Sequence, residues 1–228
     1  MKPLCVIPAR AGSKRLTRKN VAMLGGKPMV AWTIEAARDS GIFDHVYVST
    51  EAEDIADLAA RYGGDVSIRR PSDLSGDEVS NVEVSLHLLD TLAGMGRGYD
   101  AIVCLQPSSP LRNGKDIAGA WQRFQTSNED FLGSVTPLDA HFFHWAVEQK
   151  PDGSYGLFFG ERFLKARQHL PEYFRLNGAI KIARPEALRR VGDFFGDRFD
   201  AYPMDEERSV HVATAMDLAL CETILRCA

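Results

Sequence analysis

One stretch near the amino terminus indicates both the fold and a binding site: Leu4-Cys5-Val6-Ile7-Pro8, followed by Arg10-Ala11-Gly12-Ser13-Lys14-Arg15-Leu16-Thr17-Arg18-Lys19-Asn20. The first part is an apolar run typical of a buried strand. The second part, which we call the basic turn (residues 10–20), carries five cations, one glycine and three hydroxyl or amide side chains. Such a turn presents N–H groups and positive charge to an anion, most naturally a polyphosphate. Basic runs are usually solvated loops, but ligands of open α/β sheets bind where strands end. We therefore predict an anion site here.

Apolar strand-like runs alternate with helical patterns along most of the chain. The sequence predicts strands at 4–8, 45–50, 66–68, 101–105, 131–136 and 178–183, and helices at 28–40, 51–62, 79–92, 115–125 and 214–226. Pro28 near one helix start, and Gly41 just past its end, are typical helix boundaries. The alternation predicts an α/β fold with a mostly parallel mixed sheet flanked by helices on both faces.

The alternation stops between residues 138 and 173. This segment is rich in aromatic residues, and Pro151-Asp152-Gly153 is a turn signal between two short extended runs. We predict an inserted β-hairpin arm, which would expose an apolar patch and therefore meet a partner subunit. The alternative is that these aromatic side chains cap the main core.

Composition limits the function classes. The 228 residues fit one domain with an insertion, and 45% apolar with 25% charged residues is ordinary for a globular protein. A net charge of −4 argues against a dedicated nucleic-acid binder. Neither an apolar run long enough to span a membrane nor a signal-peptide core is visible. The four cysteines lack zinc-ligand spacing and indicate a reducing, cytoplasmic location.

Three further polar loops lie at predicted strand ends. They are Arg69-Arg70-Pro71-Ser72-Asp73-Leu74-Ser75 continuing to Asp77 and Asn81, Gln106-Pro107-Ser108-Ser109-Pro110-Leu111-Arg112, and Arg175-Leu176-Asn177-Gly178. Each loop alone is weak evidence for a binding site, since loops of this composition are often structural turns. Together with the basic turn they predict a ligand cleft, because strand ends gather at one edge of an open sheet.

These motifs resemble the acylneuraminate cytidylyltransferases, also called CMP-sialic acid synthetases. The similar segments are Val6-Ile7-Pro8-Ala9-Arg10-Ala11-Gly12-Ser13-Lys14 with Lys19-Asn20, Leu105-Gln106-Pro107-Ser108-Ser109-Pro110-Leu111-Arg112, and Arg175-Leu176-Asn177-Gly178-Ala179-Ile180. The resemblance implies a Rossmann-like nucleotide-diphospho-sugar transferase fold over residues 1–228, a homodimer with exchanged arms, and CTP as donor. The acceptor would be a sialic, legionaminic or pseudaminic type of α-keto acid sugar.

The resemblance also implies site residues. Arg10, Lys14 and Lys19 would be catalytic. Nucleotide binding would fall to Ala9, Arg10, Ala11, Gly12, Ser13, Lys14, Lys19, Asn20, Arg70, Asp77, Ser80 and Asn81. Sugar binding would fall to Gln106, Ser108, Ser109, Arg167, Gln168, Arg175 and Asn177. The chemistry of the reaction is consistent with these roles, because phosphoryl-type transfer depends on positioning and charge neutralisation. The planar guanidinium of Arg175 suits a carboxylate, which it can bind through two parallel hydrogen bonds.

The sequence departs from the family where two aspartates usually bind magnesium. His211 and Ala213 stand at those positions, and alanine offers no ligand to a metal that prefers oxygen. His211 and Asp217 are the remaining candidate ligands, although Asp205 could also help. The alternative interpretation of Asp217 is an acid in the first turn of the last helix, and that of His211 is a structural histidine. We expect Mg²⁺ to arrive mainly with the CTP phosphates.

The sequence thus predicts a cytidylyltransferase that transfers CMP from CTP to a nonulosonate-type 3-deoxy-α-keto acid sugar and releases pyrophosphate. Two alternatives stay open at this point: a nucleotidyltransferase of the same fold with another base or acceptor, and a non-catalytic sugar-nucleotide-binding protein. No residue is singled out as the general base.

Overall fold

The computed structural model describes residues 1–13, 16–139, 145–160 and 172–227. Its strands are β1 (Pro3–Pro8), β2 (Met23–Leu24), β3 (Lys27–Pro28), β4 (Val46–Ser49), β5 (Ala101–Cys104), β6 (Phe131–Leu138), β7 (Val147–Gln149), β8 (Tyr155–Leu157), β9 (Tyr173–Ala183) and β10 (Phe199–Pro203). Its α-helices are α1 (Met29–Asp39), α2 (Glu53–Arg61), α3 (Asn81–Gly94), α4 (Gly114–Thr126), α5 (Pro185–Val191) and α6 (Ala215–Cys227).

Six strands form the central sheet in the order β10-β6-β9-β5-β1-β4. β1 pairs in parallel with β4 and β5, and β6 pairs in parallel with β10. β9 runs antiparallel to both of its neighbours. The predicted mostly parallel mixed sheet is therefore confirmed, and β9 is the strand that makes it mixed.

Both faces of the sheet are covered, as alternation along β1 shows. Cys5 and Ile7 belong to a buried cluster with α1, α2 and α4, whereas Leu4 and Val6 belong to a cluster with α3 and α5. Successive side chains of a strand point to opposite faces, so an unbroken apolar strand serves two cores. This is the physical reason that the Leu4–Ile7 run could be recognised as a buried parallel strand.

The prediction of a strand at 66–68 is wrong. Only an isolated bridge between Tyr47 and Asp65 forms there. The carboxylate of Asp65 then accepts hydrogen bonds from the backbone N of Ser67 at 3.0 Å and from its Oγ at 2.6 Å. This local side-chain turn bends the chain away from β4.

The predicted turn of the inserted segment is present. β7 and β8 pair antiparallel, and Asp152 accepts hydrogen bonds from Ser154 N and Oγ at 2.9 and 2.7 Å. Residues 140–144 and 161–171 of the predicted insertion (138–173) lie outside the described residues. The central sheet also reaches into that range, because β6 ends at Leu138 and β9 begins at Tyr173.

Several apolar side chains of this segment lie on the surface, and they do not cap the core. Trp145, Val147, Tyr155 and Phe158 are each more than half exposed. Phe174 and Leu176 at the start of β9 are nearly half exposed as well. We call these six side chains the arm patch. Across the described ranges, no helix is long and apolar enough to cross a membrane.

Candidate active site

A pocket of about 410 Å³ opens at the carboxyl ends of β1 and β5. Eleven predicted site residues line it: Arg10, Gly12, Ser13, Lys19, Asn20, Arg70, Asp77, Asn81, Gln106, Ser108 and His211. Pro8, Val79, Val84, Pro107 and Ala213 complete the lining. Side chains from five separate segments thus meet at the sheet edge where ligands of open α/β folds bind.

The basic turn is held by acidic and amide groups of the protein. Arg10 Nη1 lies 2.8 Å from Asp77 Oδ1 across the pocket, and Asn20 Nδ2 donates to Arg10 O at 2.7 Å. The backbone N of Ala11 donates to Glu51 Oε1 at 2.8 Å. Ala9 is fully buried at the end of β1. These contacts therefore fix the described ends of the basic turn, at Arg10, Ala11 and Asn20.

Glu51 was not among the predicted site residues. It lies two residues after the end of β4, so its position after a strand end was the signal that could have found it. Lys14 lies outside the described residues, and its predicted role stays a prediction.

Arg70 is only 6% exposed although it lines the pocket. Its Nε donates to Ser49 Oγ at 3.1 Å and its Nη2 to Ser49 O at 2.7 Å. Burial lowers the pKa of the Arg70 guanidinium, while the charge of nearby Glu51 acts in the opposite direction. An arginine remains charged at neutral pH, so Arg70 supplies a fixed positive charge beside the basic turn.

The amino terminus of α3 faces the same pocket through Asn81. Ser80 is the N-cap of this helix. Its Oγ accepts from the backbone N of Glu83 at 3.2 Å, and the Glu83 carboxylate accepts from Ser80 N at 2.8 Å. This capping box satisfies helix N–H groups. Ser80 is therefore engaged in the helix cap and does not line the pocket.

The loop after β5 forms the other side of the pocket through Gln106 and Ser108. Its shape depends on Arg112, which is 2% exposed. Arg112 Nη1 donates to Gln106 O at 2.9 Å and also to Ser109 O. Burial lowers the pKa of this guanidinium to about 10. Sequence reasoning assigned Arg112 no role, because nothing local shows that an arginine folds back under its own loop.

Asn177 and Arg175 of β9 differ in their surroundings. Asn177 is 3% exposed and is not among the residues that line the pocket. Its Nδ2 donates to Ser209 Oγ at 2.9 Å, and its Oδ1 accepts from Ser134 Oγ at 2.5 Å and from Ala179 N at 3.1 Å. It joins β6 and β9 to the segment before His211, and its predicted sugar contact stays a prediction. Arg175 is exposed on β9 beside Thr136.

Ser109 and His211 meet at the inner wall, where Ser109 Oγ and His211 Nδ1 are 3.5 Å apart. The segment is held in place because Val212 N donates to Ser108 O at 2.7 Å. Ser109 itself is fully buried beneath the loop. The two remaining sugar-binding predictions, Arg167 and Gln168, lie outside the described residues.

The predicted pair of metal ligands does not form a metal site in the described ranges. Asp217 Oδ2 accepts three hydrogen bonds, from Ala213 N at 2.9 Å, Thr214 N at 2.7 Å and Thr214 Oγ1 at 2.9 Å. These bonds lower the pKa of Asp217, led by the one from Ala213 N. No group of three His, Cys, Asp or Glu side chains able to hold a metal occurs among the described residues. The donor set of the described residues therefore does not fit a metal ion held by side chains alone, and Asp217 caps α6.

Comparisons with known proteins agree with this geometry. A profile of the family described as cytidylyltransferase matches residues 4–210. The N-acylneuraminate cytidylyltransferase of Escherichia coli O18:K1:H7 (strain RS218 / NMEC) is 34% identical over 98% of this chain, which spans only 52% of that relative. The CMP-N,N'-diacetyllegionaminic acid synthase of Legionella pneumophila (strain Philadelphia 1) is 32% identical over 99% of this chain and 97% of the relative.

A solved structure shows the same fold. CMP:2-keto-3-deoxy-manno-octonic acid synthetase, solved in complex with CTP, superposes with a TM-score of 0.72 over 99% of both chains, at 17% identity. The family match over most of the chain and the shared fold lead to one conclusion: this chain belongs to the cytidylyltransferase family of nucleotidyltransferases.

Proposed function

We propose that the chain transfers CMP from CTP to a nonulosonate-type 3-deoxy-α-keto acid sugar and releases pyrophosphate. The observation that carries the proposal is the single pocket in which the basic turn meets the loop of Gln106 and Ser108. One side suits a polyphosphate, and the other offers amide and hydroxyl groups for a sugar. The printed names of the two relatives, which concern N-acylneuraminate and diacetyllegionaminic acid, support this acceptor class.

In this proposal the cations Arg10 and Lys19 neutralise the charge that develops as pyrophosphate leaves. Arg70 and Asn81 lie nearer α3 and suit the nucleoside. Arg175, exposed on β9, is available for the sugar carboxylate, which a guanidinium binds in a bidentate manner. Mg²⁺ would enter as the CTP complex, since phosphate oxygens are good ligands for this ion and the described residues offer no carboxylate cluster.

The proposal includes a cytoplasmic homodimer. All four cysteines are free thiols, which fits a reducing compartment that also supplies nucleoside triphosphates. The arm patch favours a second copy as its cover, because an exposed cluster of this kind usually marks an interface.

The test is pyrophosphate release with CTP against a panel of α-keto acid sugars: N-acetylneuraminate, legionaminate, pseudaminate and 3-deoxy-manno-octulosonate. We expect turnover with at least one nine-carbon acid. A parallel thermal-shift series with CTP, UTP, ATP and GTP separates the donor from the acceptor. CTP at 100 times its Kd should raise Tm by roughly 5–10 °C. A larger shift with another nucleotide would contradict the choice of base, and CTP binding without turnover on any acid would contradict the reaction.

A further inference from the structure

The segment that follows β4 joins two parts of the pocket wall without lining the pocket itself. Ser49 O accepts hydrogen bonds from Ala9 N at 2.9 Å and from Arg70 Nη2 at 2.7 Å. Thr50 O accepts a hydrogen bond from Arg70 N at 3.1 Å. Ser49, Thr50 and Glu51 are not among the described residues that line the pocket. The segment therefore connects the end of β1 to Arg70 and leaves the pocket free for a ligand.

Glu51 extends this connection to the basic turn. Its Oε1 accepts the hydrogen bond from Ala11 N at 2.8 Å. The carbonyl oxygen of the same peptide group, Arg10 O, accepts from Asn20 Nδ2 at 2.7 Å. A peptide group is planar and rigid, so the two contacts hold it at both ends. Because Arg10 and Gly12 on either side line the pocket, the orientation of this peptide group sets how the turn faces a ligand.

The second carboxylate oxygen of Glu51, Oε2, is buried and has no hydrogen-bond partner among the described residues. A buried oxygen without a partner costs stability, so this side chain is not explained by stability alone. Burial lowers the pKa of the Arg70 guanidinium, and the charge of Glu51 opposes that effect. In the described part of the chain, the hydrogen bond to Ala11 N is thus the contact through which the Glu51 carboxylate holds the turn.

We propose that Glu51 is a positioning residue for the phosphates of the donor nucleotide. It acts through the peptide group between Arg10 and Ala11, which it holds in the orientation that presents the basic turn to a polyphosphate. Without this hydrogen bond, the turn has to be ordered when the ligand binds, and such ordering lowers affinity. The inference rests on the function proposed above where turnover is measured, whereas polyphosphate binding is measured without any acceptor.

The hydrogen bond and the charge of Glu51 act on bound phosphate in opposite directions. The hydrogen bond favours binding because it fixes the turn, whereas a negative charge close to a polyphosphate repels it. Three substitutions separate the two effects. Glu51→Gln removes the charge and keeps an acceptor of the same length, and Glu51→Ala removes both. Glu51→Asp keeps the charge but is shorter by about 1.5 Å, so its carboxylate no longer reaches Ala11 N from the same backbone position.

The experiment measures the Kd of CTP, of tripolyphosphate and of cytidine by calorimetry in the presence of Mg²⁺, for the wild-type chain and the three variants. Loss of one hydrogen bond should raise the Kd of CTP and of tripolyphosphate by about tenfold in Glu51→Ala and Glu51→Asp. In Glu51→Gln both values should stay within about threefold of wild type. The Kd of cytidine should be the same in all four proteins, because cytidine carries no phosphate.

Turnover with CTP and the best acceptor of the sugar panel gives a second measurement. The KM of CTP should rise by about tenfold in Glu51→Ala and Glu51→Asp, with a smaller change in kcat and none in the KM of the sugar. Glu53→Ala is the matched control, because it removes the same charge two residues later. Glu53 is exposed and paired with Arg69, and neither side chain is among those that line the pocket. Its CTP affinity should equal that of wild type, and circular dichroism checks that every variant is folded at the assay temperature.

The outcomes separate this inference from the proposed function. Wild-type affinity for CTP and tripolyphosphate in Glu51→Asp, or affinity in Glu51→Gln as low as in Glu51→Ala, would overturn the role of the hydrogen bond. An equal loss of cytidine affinity would show a general structural role and overturn it as well. If Glu51→Ala does not fold, the comparison of Glu51→Gln with Glu51→Asp decides. A wild type that binds CTP and releases no pyrophosphate with any acid would overturn the function, while the binding series would still decide the role of Glu51.

Discussion

The role of Asp217 can be tested directly, because a helix-capping residue and a magnesium ligand predict different effects when Asp217 is replaced. Its carboxylate accepts three hydrogen bonds from Ala213 and Thr214 at 2.7–2.9 Å. Loss of a helix cap costs about 1 kcal/mol. In a chain of 228 residues this corresponds to a Tm lower by roughly 2–4 °C. Asp217→Ala should therefore melt earlier and keep the wild-type dependence of activity on magnesium.

The effect should depend on pH in a defined direction. The pKa of Asp217 is lowered in the folded state, so its stabilising contribution is present above the unfolded value of about 3.9 and is lost as pH falls through the folded value. The difference in Tm between wild type and Asp217→Ala should hold at pH 7 and shrink in strongly acidic buffer. The assay is thermal unfolding by circular dichroism, with Asp57→Ala as control, since Asp57 is an exposed carboxylate of α2. Identical melting of Asp217→Ala and wild type at pH 7, or a raised magnesium requirement, would refute the capping role.

Three further predictions concern the basic turn, the arm patch and the metal. Lys19→Ala should reduce kcat/KM strongly with little change in Tm, since Lys19 serves bound phosphate from a loop; wild-type kinetics would remove it from the mechanism. The arm patch should hold a dimer whose interface buries roughly 1,600 Å² or more, and light scattering over a dilution series should show the mass of that dimer. The double variant Tyr155→Ser with Phe158→Ser should weaken the dimer. A mass near 25.3 kDa at every concentration would contradict this prediction. His211→Asp with Ala213→Asp should lower the magnesium concentration at half-maximal activity by about tenfold, equivalent to ~1.4 kcal/mol of added coordination. Saturation of the natural chain at micromolar free magnesium would show a ligand set that the described residues do not reveal.

The elements that could be predicted from sequence are those whose signal is local. β1 was recognisable because each of its residues is apolar and it feeds two cores. The helix α1 was marked by Pro28 and Gly41, which lie just outside its observed ends. The basic turn, the loop after β5 and the segment from Arg70 to Asn81 were brought together by the rule that strand ends share one sheet edge, and the pocket contains residues of all three.

The features that sequence reasoning missed depend on partners far along the chain or on weak local patterns. β10 is an edge strand with only partly buried residues, so its sequence shows no clear alternation. The short helix α5 did carry a signal, with Pro185 at its start and Gly192 at its end, and it could have been found. The structural role of Asn177 could not have been found from sequence, because its partners Ser134 and Ser209 lie 43 and 32 residues away along the chain.

Gly178 has a consequence for efforts to change the acceptor. Its φ of +72° lies in the left-handed region, where a side chain with a Cβ costs roughly 1–2 kcal/mol, although that Cβ would be only in ordinary contact with His211 and Gln106. Substitutions at this codon would therefore destabilise the protein through backbone strain, whatever the size of the desired sugar. A directed-evolution library would gain more from Ala213, where a methyl group faces the pocket, and from Arg175, which is exposed on regular strand backbone.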